Sequence, residues 1–472
     1  MGFPAEASDA RHLSEKMAGV DRMQAALMDR IKQEILWEIE REGLPDGFPQ
    51  LPDIPAGRYT SQIFYDLEQQ HMWPKVWLYA GRAEQLPRPG DFQLWDYSGP
   101  PILLVRDTAG ALRAFLNQSP NDAPLVPYAD DSGLLNEMPF DAPGRMFMQV
   151  DFPARQLPGG RLQCQRKGWT YDLDGRLVAV PDGQIVDSIP HRDRQLIEYR
   201  CEVWGGFIFV NRDKAATPLI EWLGPVAEQM EQYRCENLRM FSRATVLLRT
   251  NWKVAVEAFQ EVYHFKHIHH HEGVVSLDQR GVTHTLFPHG HSRMVTPFAK
   301  RQQTVMGMSG PTDWESAADA ARDSLIGTGT PIIETVAPIV NGAVLTYSLF
   351  PNATTPTSAR GLPMLAAWPV DPSHTFFEWT SFVPDWGEDT PAIEAMRKAV
   401  LTTPMQIMEE DVRNMEPMFM SLSSPGLPGL HLGYNERRLY NSAEVLDQLI
   451  GIDNIPGTLR VEQLLERYVV DQ

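Results

Sequence analysis

The sequence predicts an α+β protein, in which a small antiparallel β-domain precedes a larger domain whose helices cover one antiparallel sheet. Three observations predict it. Between Arg58 and about Asp213, short apolar runs such as PILLVRD (101–107), ALRAFLN (111–117) and WGGFIFVN (204–211) alternate with Pro, Gly and Asp turns. Beyond them, longer strand patterns (SRATVLLRT, 242–250; GAVLTYSLF, 342–350; HTFFEWTSFVP, 374–384) are interleaved with helical patterns at Val254–His264 and Pro391–Phe419. The length, 472 residues, exceeds what one ordinary core organises.

The elements follow in order. In residues 20–42, Met23, Leu27, Ile31, Ile35 and Ile39 form an i+4 row, which predicts an amphipathic helix stopped at Gly43. Such an arm packs on its own domain or against a neighbouring subunit. The Pro-rich run Leu44 to Pro55 reads as a linker, which gives three units: an arm and linker (1–57), a β-domain (58–213) and an α+β domain (214–472). Within the β-domain, residues 127–160 are rich in Pro, Asp and Gly and read as an inserted loop.

Composition excludes several classes of function. A net charge of −19 leaves no basic face for a phosphate backbone, so nucleic acid is not an expected partner. No apolar run approaches the roughly 20 residues of a membrane span. Three cysteines (Cys164, Cys201, Cys235) are too few for a disulfide framework and fit a reducing, cytoplasmic setting. The start MGFPAEASDARHL shows no signal-peptide pattern.

Five of the thirteen histidines fall between His264 and His271, within NWKVAVEAFQEVYHFKHIHHHEG (251–273). Two imidazoles and one carboxylate on one side of Fe(II) leave adjacent positions open, the arrangement of non-haem iron oxygenases. His264 and His269 suit a helix that breaks near its end, and His267 with His271 form an i, i+4 pair that suits a straight one. The third ligand must come from elsewhere, and MEEDVRNMEPMFM offers Glu409, Glu410 and Asp411. A solvated turn after a helix is the plain alternative for a run such as HIHHH.

Taken together, RYTSQIFYDLEQQHMWPKVWLYAGRAEQLPRPGDF, FLNQSPNDAPLV, GWTYDLDGRL, WGGFIFVN, NWKVAVEAFQEVYHFKHIH, MEEDVRNMEPM and HLGYNERRLYNSAEVLDQLI resemble, in this order, the α subunits of Rieske non-haem iron, ring-hydroxylating oxygenases. The resemblance runs from Arg58 onward. It implies a Rieske-like β-domain joined to a helix-grip (START-like) catalytic domain with a curved antiparallel sheet. It implies His264, His269 and Asp411 as ligands of a mononuclear Fe(II), with Glu410 as the fallback carboxylate. Glu261 falls where the family's acid connects one subunit's iron to the cluster of the next. Ala258 departs from the Asn often found near the iron.

The cluster side departs much further. The family's [2Fe–2S] centre takes Cys-x-His and Cys-x-x-His, two thiolates and two imidazoles. Here those positions hold Ser119, Asn121, Cys164 and Lys167, so three of four ligands are replaced. The connection is also long, with 42 residues between Asn121 and Cys164. The expectation is no [2Fe–2S] cluster on this chain and an inert, buried Cys164. The resulting reading is an oxygenase subunit that hydroxylates an apolar, cyclic or aromatic substrate with O2. Its electrons come from a cluster-bearing α-type subunit or a ferredoxin and reductase, in a trimeric or hexameric assembly. The alternative is a catalytically silent structural subunit of such an assembly.

Overall fold

The computed structural model describes residues 25–120, 123–125, 144, 146–150, 152, 155–164, 166–181, 194–269, 277–298 and 330–471. Two sheets dominate it. The first has seven strands, in the order Leu78–Arg82, Phe207–Asn211, Glu198–Trp204, Leu112–Leu116, Ile102–Arg106, Asp91–Trp95 and Arg155–Gln156. Each predicted run sits on a strand here, with successive apolar residues buried on opposite faces: Ile102, Leu104 and Phe209 in one core, and Leu103, Val105 and Phe115 in another. WGGFIFVN becomes a hairpin with Trp204 opposite Phe207. Gly205 and Gly206 supply the positive φ angles (55° and 79°) of its turn. A side chain at Gly206 would fall on the Arg82 guanidinium, 2.5 Å from Nη1. Arg82 uses that approach to donate to Gly205 O, Cys235 O and Leu238 O, tying the first sheet to the segment that enters the second. Beside this sheet lies a three-stranded ribbon of Leu162–Gln163, Thr170–Tyr171 and Leu177–Ala179.

The second sheet is eight-stranded and antiparallel throughout. Its order is Thr283–Leu286, Ser292–Pro297, Ala343–Leu349, Ala353–Thr357, Leu362–Asp371, His374–Val383, Arg239–Leu248 and Met146–Gln149. The last strand corrects an expectation, since residues 127–160 read as a loop. Met146–Gln149 instead pairs with Val246–Arg243, so this backbone finds its hydrogen bonds on an open sheet edge. The curved sheet, the covering helices and the α+β class agree with the sequence reading.

The three helices predicted from the sequence are present, with changed bounds. The predicted arm is helical over residues 25–40. Ile31 and Ile35 are fully buried, and a side chain at Gly281 would strike Ile35 and Ile39, so the arm packs on its own chain. The helix Trp252–Glu257 starts at Asn251, whose side chain accepts from Lys253 N, and ends seven residues earlier than predicted. Tight turns at Phe259 and Gln260 break it there. The long helix Pro391–Leu422 is capped by Thr390 and spans 32 residues. Among the described residues, no helix is long and apolar enough to cross a membrane.

Candidate metal centre

His264 and His269 bracket one helical turn. The turn, Phe265–Ile268, has His264 at its N-cap and His269, in an extended conformation, at its C-cap. Five residues apart on a continuous helix, at about 100° per residue, the two rings would diverge. The break at His269 brings the ring centroids to 5.1 Å. On the long helix, Met408, Asp411 and Met415 form the buried stripe. Asp411 faces inward for that reason, while Glu409 points out to Arg413.

Three ligand atoms, one each from His264, His269 and Asp411, lie within 4.8 Å of one another, the one such group among the described residues. His264 Nε2 is 3.7 Å and His269 Nε2 is 3.4 Å from Asp411 Oδ1. Behind each imidazole stands a carboxylate. His264 Nδ1 pairs with Glu261 Oε1, and His269 Nδ1 with Glu410 Oε2 at 2.8 Å. A proton on each Nδ1, donated to its carboxylate, leaves both Nε2 lone pairs facing a third acceptor. Asp411 Oδ2 is buried without a hydrogen-bond partner. Converging lone pairs with no proton between them repel unless a cation sits among them, so the donor set fits a divalent metal and leaves one side open.

The electrostatics agree. Burial pushes the Asp411 carboxyl up to about 7, with His264 pulling it down and Glu410 and Glu261 adding to the rise. Burial works to lower the His264 pKa, but the Glu261 carboxylate reverses the shift and raises it. At His269 burial prevails over Glu410 and the pKa is lowered. Just ahead of Glu261 in the chain, Phe259 stacks on Phe377 at 5.4 Å and meets Trp379 edge-on at 6.5 Å.

Of the other predicted residues, His267 is exposed and His271 lies outside the described residues. Glu410, read as a fallback ligand, stands behind His269 instead. Its position beside Asp411 carries the signal that could have assigned it, because adjacent helical residues point about 100° apart and only one can face inward.

The cluster positions are arranged differently. Ser119 Oγ is hydrogen-bonded to Tyr171 OH at 2.8 Å in a buried pair, and Ser119 N donates to Ala123 O. Cys164 is buried, and its sulfur accepts from Lys167 N at 3.4 Å within a turn closed by Gly168 N on Cys164 O. Asn121 lies outside the described residues. Tyr171 was not anticipated from the sequence.

Comparison with known proteins places this geometry. The family described as Ring hydroxylating alpha subunit (catalytic domain) matches residues 229–452. The carnitine monooxygenase oxygenase subunit of Acinetobacter baumannii is 26% identical over 230 residues, 47% of this chain and 55% of that protein. The biphenyl 2,3-dioxygenase subunit alpha of Rhodococcus jostii is 27% identical over 240 residues, 48% of this chain and 46% of the relative. The matched stretch thus spans about half the length of these relatives. The fold superposes on the quaternary ammonium Rieske monooxygenase CntA in complex with L-carnitine, with a TM-score of 0.61 and 18% identity over 87% of this chain and 99% of that one. Naphthalene 1,2-dioxygenase from Rhodococcus sp. gives a TM-score of 0.61 at 17% identity, over 84% and 94% of the two chains. Residues 229–452, just under half of the chain, thus match the catalytic domain of ring-hydroxylating α subunits, and the fold is that of the solved Rieske oxygenases.

Proposed function

We propose that this chain is an oxygenase-component subunit that works with a mononuclear Fe(II) of its own and with electrons from a Rieske cluster or other donor on a partner protein. The convergence of His264, His269 and Asp411, each imidazole backed by a carboxylate, carries the reading. His264, His269 and Asp411 would hold the iron, which when bound supplies activation of O2. The protein groups do the rest. Glu261 and Glu410 fix the imidazole tautomers, so the metal-facing nitrogens keep their lone pairs. Phe259, Phe377 and Trp379 provide a wall that excludes water and orients the substrate.

Electrons enter from the Glu261 side. Its side chain keeps 15% exposure while holding His264, and the neighbouring Tyr263 is 49% exposed, so this face meets the donor. The donor is a cluster-bearing α-type subunit or a ferredoxin in a trimeric or hexameric assembly. Ser119, Asn121 and Lys167 offer no thiolate or imidazole, and Ser119 is engaged with Tyr171, which supports a chain without a [2Fe–2S] cluster. The substrate is a small molecule with an apolar face. The relatives named for carnitine and biphenyl widen its class, since an aromatic wall suits a quaternary ammonium group as well as a ring.

Iron and acid-labile sulfide per chain, measured on anaerobically prepared protein, test the proposal. About one iron without sulfide is expected. Two further irons with matching sulfide on the isolated chain would refute the missing cluster, and no iron after Fe(II) reconstitution would leave a silent structural subunit.

A further inference from the structure

The helix Arg437–Ile450 opens with two arginines, of which Arg438 reaches the loop that carries His264. Arg438 is fully buried, yet its hydrogen bonds go to neutral oxygens. Its Nε donates to Ser292 Oγ at 2.9 Å, Nη2 to Ser348 Oγ at 2.6 Å and Nη1 to Gln260 O at 3.3 Å. Ser292 and Ser348 stand opposite each other on adjacent strands of the curved sheet. Gln260 immediately precedes Glu261, whose carboxylate holds His264. Two residues further on, Val262 O accepts from Gln279 Nε2, so alternate carbonyls of the loop are anchored.

Two other buried cations are paired directly with acids, Arg58 with Asp447 at 2.5 Å and Lys253 with Glu68 at 2.5 Å, whereas Arg82, like Arg438, donates to neutral oxygens. A buried guanidinium held by neutral acceptors is a costly way to fill space, and apolar side chains of similar volume often do so with equal or better stability. What a guanidinium adds is a rigid planar fork that reaches acceptors in three directions at once. A lysine ammonium at the end of a flexible stem cannot span two strands and a loop together.

We propose that Arg438 is a positioning residue, which fixes the Gln260 carbonyl against the curved sheet and thereby sets where Glu261 and His264 stand. The inference rests on the iron site proposed above. Arg438 touches neither metal nor substrate, and its effect passes through the loop. The neighbouring Arg437 pins the outer side of the same corner by donating to His284 O and Tyr434 O.

The test uses the full chain loaded with Fe(II) and nitric oxide as the probe, read by electron paramagnetic resonance, so no substrate is needed. Arg438→Lys should still take up about one iron per chain. Its nitrosyl signal should change in rhombicity or split into several species, and Fe(II) affinity should fall roughly tenfold, the low end of the range for outer-shell partners. A Ser292→Ala/Ser348→Ala double variant keeps the cation but frees it from the sheet, and should change the signal in the same direction. It also serves if the lysine variant does not fold. Arg58→Lys weakens the buried pair with Asp447, which lies elsewhere on the same helix as Arg438, and should lower the unfolding midpoint while leaving the nitrosyl signal alone. Unchanged signal and affinity in both Arg438→Lys and the double serine variant would overturn the positioning role, as would an equal change in Arg58→Lys. A wild-type chain that binds no Fe(II) would overturn the iron site and this inference together.

Discussion

The His264–His269–Asp411 corner, proposed to hold iron, and the loops around Ser119 and Cys164, proposed to hold no cluster, satisfy their polar groups in opposite ways. At the metal corner, donor atoms converge without satisfying one another, and Asp411 Oδ2 is left buried and unpartnered. At the loops around Ser119 and Cys164, the Ser119 hydroxyl pairs with the Tyr171 hydroxyl, and Cys164 Sγ accepts from the Lys167 backbone N–H. A ligand site held in readiness carries unspent electrostatic strain, whereas a site that has become scaffold closes its hydrogen bonds. That difference supports the proposed iron site and the proposed scaffold loops on grounds other than residue identity.

The comparison breaks most completely at Asp411. Asp411→Ala removes one of three donors and should abolish iron retention and product formation in a reconstituted system. Turnover at the wild-type rate would remove the basis of the proposed function. A smaller effect is expected at Glu410. Glu410→Ala leaves all three donors in place but frees the His269 ring, and Fe(II) affinity should drop about 10- to 100-fold. Competition with a calibrated chelator measures it, and an unchanged affinity would reduce Glu410 to a surface acid.

Glu257 sharpens the contrast through pH. It lies in the helix leading to the metal loop, accepts from Tyr59 OH at 2.9 Å, and shares its surroundings with Lys253, Arg58 and Glu68. Burial raises its pKa to about 8 from the ordinary 4.5. Between those values the folded chain holds a proton that the unfolded chain has released. This group's contribution is therefore fully present below about pH 4.5 and lost as pH rises through 8. Glu257→Gln cannot ionise, so its urea midpoint should rise relative to wild type between pH 5 and pH 8.5. A difference between the two proteins that stays constant with pH would show that Glu257 is ionised throughout.

The two regions were unequally legible in the sequence. The histidines are close in sequence, so His264 and His269 could be proposed from spacing. The carboxylate needed the family resemblance, because Asp411 lies 142 residues after His269 in the chain. Spacing could not say which acid faced in, whereas the stripe of Met408, Asp411 and Met415 does. The loss of cluster ligands was visible as Ser119, Asn121 and Lys167, but its consequence was not, since no local pattern links Tyr171 to Ser119. Nor does any local pattern mark a buried arginine without an acid: Arg438 reads as one member of an ordinary Arg-Arg pair. Strand Met146–Gln149 was hidden for a related reason, in that an edge strand inside a Pro- and Gly-rich stretch is defined by the partner it finds.

The smallest effect expected is the most discriminating for the remnant. Ser119→Ala deletes one half of a buried hydroxyl pair, which should cost about 0.5–1.5 kcal/mol of stability. The cost should stay local. If the loops are scaffold, iron per chain and the nitrosyl spectrum remain those of wild type, and only the denaturation midpoint moves. If they still handle a metal or an electron, the same substitution changes iron or sulfide content, because a serine oxygen is then a ligand or its neighbour. Stability and metal content measured on one variant therefore separate a closed hydrogen bond from a dormant site.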